Sequence, residues 1–327
     1  MPASPTASAI LAMPLEAADR LFPGDAAAVR AGYHRLAIQW HPDHCRAPMA
    51  DAVFSHLTRL RDTALRALAD AAPELLPGNV RFQPRRRHAT ETGTLLVGDE
   101  AWAWVVEPGQ ADLARNAVAR IGGLRFADAA MRAQMAPLLP QILSVGEGME
   151  GTALLVRREP TEILLRDAVQ AAGGALGPRH VAWVCSGLLH LACFLAVNRL
   201  VHGDLGLDSL CIEPASHRVG LPGGWWYATP EGAPMPALPL RSVDVAPAAL
   251  LDEGLADPAL DQALIRRTGR EIAGPLAALP PPLAAWLAQE SFSDAVTEYG
   301  RWQQVLEASF GPRRFAVLDL DARAIYR

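Results

Sequence analysis

Apolar residues recur at helical spacing near the start of the chain. Val29, Tyr33, Leu36 and Trp40 fall at i, i+4, i+7 and i+11, which places them on one helix face. Asp25 stands where an N-cap belongs, just after the Phe22-Pro23-Gly24 break. Pro42 stops this helix, because proline lacks an N–H and disfavours helical geometry in the residue before it. A shorter segment, Leu15 to Phe22, precedes it. A longer one, residues 49–68, follows with Phe54, Leu57, Leu60 and Leu68 on one side. The pattern therefore predicts two long helices joined by a loop that carries His41-Pro42-Asp43.

From residue 93 the pattern changes. "TLLVG", "AWAWVVEPG" and "GTALLVRREP" are short strand-like runs bounded by turn residues, with a helical segment from Ala111 to about Ile121 between them. After residue 176 the chain reads as mostly helical. "HGDLGLDSL", a glycine and tryptophan stretch at 220–227 and a proline-rich loop at 230–247 interrupt it. Residues 71–92, with Pro73, Pro77, Gly78, Pro84 and three consecutive arginines, read as a connector or a leading strand. The expected class is α+β, with an N-terminal helical domain (12–70), a linker (71–92) and a two-lobed body (93–318). Its strand-rich lobe spans about 93–160 and its helical lobe about 161–318.

Composition narrows this further. Half the chain is apolar and a fifth charged, an ordinary globular balance, and 327 residues suit roughly two domains. The longest apolar runs are interrupted before the ~18 residues a membrane span needs, and the N-terminus lacks a basic leader, so no membrane is expected. Four scattered cysteines suggest a reducing compartment, and a cytoplasmic location is the expectation. The net charge of −5 argues against a nucleic-acid partner. All 30 basic residues are arginine, so no mechanism here can use a lysine ammonium.

"VRAGYHRLAIQWHPD" resembles the second helix and loop of J-domains, the modules that activate DnaK-type chaperone ATPases. Val29, Tyr33, Leu36, Ala37 and Trp40 match the family's core-facing pattern, and Phe54 falls near the matching place on the third helix. The resemblance covers residues 12–70. It implies that His41, Pro42 and Asp43 contact a DnaK-type chaperone, with Arg30 and Arg35 on the basic face of the helix. A carboxylate on an exposed loop suits this role, since a charged pair strengthens as an interface excludes water. The family's face is usually lysine-rich, however. Residues 1–75 hold seven arginines against eight acids, so electrostatic steering would be weak. His41, His44 and Cys45, taken with His34 or His56, lack the four-ligand spacing of zinc sites, and no metal is expected.

"AWVCSGLLHLACFLAVNRLVHGDLGLDSLCIE" resembles the long helix and catalytic loop of protein kinases, and the resemblance extends over about 90–315. It implies a catalytic-loop aspartate at Asp204, next to His202. Phosphoryl transfer depends on positioning and charge neutralisation, and the remaining parts are missing. Ser209 stands where the metal-binding asparagine belongs, and Gly223 or Gly224 where the metal-binding aspartate belongs. Val105, Val106 or Glu107 occupies the neighbourhood of the phosphate-anchoring lysine, and Asn116 that of its glutamate partner. "GTLLVGD" (93–99) is a poor phosphate cradle. The expectation is a pseudokinase without cofactors, in which His202, Asp204 and Ser209 are vestigial. Trp225, Trp226 and Tyr227 would fill an unused nucleotide site or form a partner surface. The expected whole is a non-catalytic co-chaperone or adaptor that binds an unknown client or partner. An atypical phosphotransferase using Asp204 and a pure scaffold are the alternatives.

Overall fold

The computed structural model describes residues 5–41, 45–70, 73–290, 293–312 and 314–327. Helices and antiparallel strands are mixed along the chain, and the class is α+β. The chain divides into two compact units. One reaches Glu74 and includes Gln83–Arg86; the other comprises Leu75–Phe82 and Arg87–Arg327.

The first unit is built from helices α1 (Ala7–Leu11), α2 (Ala26–Trp40) and α3 (Ala50–Asp70). The side chain of Asp25 caps α2 by accepting from the Ala28 N–H at 2.8 Å. The helix ends at Trp40, where His41 turns to extended backbone (φ −65°, ψ 133°), as the following proline requires. The core holds Ile10, Phe22, Val29, Val53, Leu57 and Leu60, each adding about 1.5–3 kcal/mol through burial. Tyr33, Leu36 and Trp40 pack half-buried against it. On α3 the buried row is Val53, Leu57, Leu60 and Ala64, again at i, i+4, i+7 and i+11. Phe54 stands beside that row, edge-on to the His41 ring at 5.1 Å. Helix α1 was not anticipated; Thr6 caps it, and Ile10 anchors it in the core.

The second unit opens with strands β1 (Glu74–Leu76) and β2 (Val80–Phe82), a hairpin within the stretch expected as linker. A five-stranded sheet follows, made of β3 (Arg86–Thr90), β4 (Gly93–Val97), β5 (Ala101–Val106), β6 (Ile142–Gly148) and β7 (Gly151–Arg157), in the order β3-β4-β5-β7-β6. Alternation along β5 sends Trp102, Trp104 and Val106 into the main core, while Ala103 joins Leu76 and Phe82 in a smaller one. Helix α4 (Ala111–Gly122) lies between β5 and β6 in sequence. Beyond residue 160, the short strand β8 (Ile163–Leu164) pairs with β10 (Cys211–Glu213), which pairs with β11 (Arg218–Gly220). The long helix α5 (Pro178–Val197) is apolar enough to cross a membrane by length and composition, yet 56% of its most apolar stretch is buried inside the structure. It packs on α6 (Ala259–Ala273) and α7 (Ala295–Phe310).

A last helix, α8 (Ala322–Ile325), lies past the expected end of the body at residue 318. It delivers Tyr326 into the core, where the hydroxyl donates to Asp167 and accepts from the Leu164 N–H, each at 2.9 Å. The Arg158 guanidinium lies 4.5 Å from the centre of the Tyr326 ring.

Candidate functional site

The loop His202–Ser209 runs from β9 (Leu200–Val201) to β10, and one carboxylate holds its start. Asp261, buried on α6, accepts the N–H groups of His202 and Gly203 at 2.8 Å each. The His202 ring is fully buried. Its Nδ1 lies 3.3 Å from the Asp204 N–H and its Nε2 lies 3.1 Å from the Gly223 carbonyl, the pattern of a neutral ring donating through Nε2. Burial pushes its pKa down to about 3, so it stays neutral at physiological pH. The Ser209 hydroxyl donates to the Asp204 carbonyl at 2.6 Å and accepts from the Gly206 N–H at 2.8 Å, which commits it to holding the loop.

Asp204 stands on a cleft of about 370 Å³. Burial is the main cause that pushes its carboxyl up to about 7. Asp208, Glu91 and Asp261 add to the rise, while Arg241 opposes it. The part of the residue left open to the cleft tempers that push. Asp208 pairs with Arg166, and Arg241 donates to the Leu205 carbonyl at 2.7 Å and to Glu271 at 2.8 Å. Glu91 reaches the other side of the cleft, accepting the Leu240 N–H at 3.0 Å. A carboxyl titrating near neutrality can accept a proton, but no second carboxylate stands beside it at Gly223 or Gly224.

The geometry of the neighbouring turn explains why. Gly224 has φ +77°, and a Cβ there would lie 2.7 Å from His202 Cε1 and 2.8 Å from the Asp204 carbonyl oxygen. A Cβ on Gly223 would lie 2.5 Å from Trp104 Cζ2. Neither position has room for a carboxylate. From β5, Trp104 lines the cleft. Its indole meets Trp226 edge-on at 6.4 Å. The α4 residue Asn116 donates to the carbonyls of Trp226 (2.9 Å) and Ala228 (3.0 Å), tying the helix to this turn.

Trp225, Trp226 and Tyr227 are at most 4% exposed, which corrects the expectation that they could form an outward partner surface. Trp225 donates its indole N–H to the Leu221 carbonyl at 3.0 Å and stands edge-on to His202 at 4.9 Å. Trp226 and Tyr227 line the cleft. In the first unit, Arg30 and Arg35 are exposed on α2, and His41 is half-buried at its end. Pro42, Asp43 and His44 lie outside the described residues. Asp261 and Trp104 were not singled out from the sequence. The one signal for Asp261 is a carboxylate flanked by Leu260, Leu264 and Ile265 on a core helix. No known protein-family model matches this chain, and no curated protein aligns with it significantly.

Proposed function

We propose that this chain is a non-catalytic co-chaperone or adaptor. Its helical unit recruits and stimulates a DnaK-type ATPase through His41, Pro42 and Asp43, with Arg30 and Arg35 on the contacting helix. Its second unit is a kinase-like body that binds a client or partner protein. The observation that carries the reading is the helix α2, capped by Asp25 and ending at Trp40 just before His41-Pro42-Asp43 in the sequence, with both arginines exposed along it. The crowded Gly223-Gly224 turn supports a body without phosphotransfer, because it excludes the side chain a metal would need. The test is steady-state ATP hydrolysis by the source organism's DnaK-type chaperone, with the full-length protein and with a His41→Gln, Asp43→Asn variant. Several-fold stimulation that vanishes in the variant is expected. No stimulation by either protein would sink the chaperone half of the proposal.

A second reading, phosphotransfer by a remodelled site, draws on the Asp204 carboxyl and its pKa near 7. Thermal unfolding with ATP, ADP and magnesium separates the two readings, since a bound nucleotide must raise the midpoint.

A further inference from the structure

The cleft beside Asp204 carries more negative charge than its own cations balance. Four carboxylates (Glu91, Asp204, Asp208 and Glu271) line it, against two guanidiniums, Arg166 and Arg241, and Glu271 also pairs at 2.9 Å with Arg267 outside the lining. Both arginines are already engaged, Arg166 with Asp208 and Arg241 with Glu271 and the Leu205 carbonyl. The Asp204 carboxyl has no hydrogen-bond donor among the described residues. Two residues of the lining, Thr90 and Asp208, also each keep one buried side-chain oxygen, Oγ1 and Oδ1, without a partner. The open side of the Asp204 carboxyl thus leaves place for a donor that the cleft does not itself supply.

The chemistry of that donor can be narrowed. A polyphosphate would meet net negative charge. Among the described residues no three His, Cys, Asp or Glu side chains converge to hold a metal ion. Aromatic side chains, Trp104, Trp226 and Tyr227, form part of the lining. Guanidinium is the cation that both stacks on such rings and donates to carboxylates in a fork. At the mouth, Leu240 is 75% exposed, offering apolar surface for a residue next to the cation in a polypeptide. The volume of about 370 Å³ falls within the range of small-ligand sites.

We propose that this cleft binds an arginine side chain presented by a partner protein, with Asp204 and Asp208 as its carboxylate acceptors. This deepens the reading of the second unit as a binding body and does not depend on the chaperone half, which the ATPase assay tests separately. The test is calorimetric titration of the full-length protein at pH 8 with acetyl-Leu-Arg-Leu-amide and with its citrulline counterpart, which keeps the shape and removes the charge. The arginine peptide is expected to bind at least about 10-fold more tightly. Asp204→Asn should remove about as much affinity, and Glu91→Gln, an exposed change that leaves the fold untouched, should weaken binding less. Equal binding of the two peptides, an unaltered Asp204→Asn variant or displacement of the arginine peptide by ATP would each overturn the proposal.

Discussion

His41 and His202 each follow an apolar run and head a short polar loop, yet the protein surrounds them differently. His41 ends a helix, is half-buried and stands edge-on to Phe54. His202 is fully buried, both of its ring nitrogens face backbone groups, and Asp261 holds its own N–H. The same residue type is therefore half-buried in one place and a fully buried strut in the other. Burial decides the difference, holding the His202 ring neutral down to about pH 3.

The severest challenge to that contrast is Asp261→Ala. It strands two buried N–H groups at about 1–3 kcal/mol each, so a loss of about 2–6 kcal/mol is expected in urea unfolding. A loss under about 1 kcal/mol would mean that the His202 loop is held by something else. Gly224→Asp comes next. Left-handed backbone costs about 1–2 kcal/mol for a residue with a Cβ and overpacking about 1–3 kcal/mol, so about 2–5 kcal/mol should be lost. The new carboxylate should confer no magnesium-dependent thermal shift with ATP. Such a shift would show that the turn opens and that the cleft is a nucleotide site in waiting.

Asp204→Asn probes the cleft more gently. Its folded pKa of about 7 lies above the ordinary 3.8, so the native state keeps its proton longer than the unfolded chain does. The destabilisation from this group therefore grows as pH rises from about 4 and is complete above about 7. The asparagine variant should melt about 2–4 °C higher at pH 8, corresponding to about 1 kcal/mol, and close to the parent at pH 5. An identical difference at both pH values would show that the carboxyl does not titrate in this window. The smallest effect belongs to His41→Gln, which should change stability by no more than about 0.5 kcal/mol while abolishing chaperone stimulation. A loss above about 2 kcal/mol would make His41 a core residue like His202.

What could be read from the sequence depended on how many local signals agreed. Helix α2 was legible because the Asp25 cap, the Val29–Trp40 period and Pro42 all mark the same segment. The strands β4, β5 and β7 were legible from apolar runs between turn residues. Which β5 residue faces the cleft was not, because strand faces alternate and a slip of one residue exchanges Trp104 for Val105. Asp261 lies 59 positions from His202, and its role exists only once α6 has packed beneath the loop. The aromatic run at 225–227 had both buried and exposed readings in sequence, and only its burial chooses between them.

Tyr326 carries a consequence for the order in which the polypeptide can become stable during synthesis. The helical unit has its helices in hand once the chain has emerged to about Glu74, and it can consolidate while translation continues. The second unit lacks a plug until residue 326 is free: before then Asp167 misses the phenol it accepts from, the Leu164 N–H misses its acceptor, and Arg158 misses the ring beneath it. Nascent chains that have not yet released residue 326 should therefore present a finished first unit together with a second that is still open to proteases and holdases, and truncation before Tyr326 should prolong that exposure.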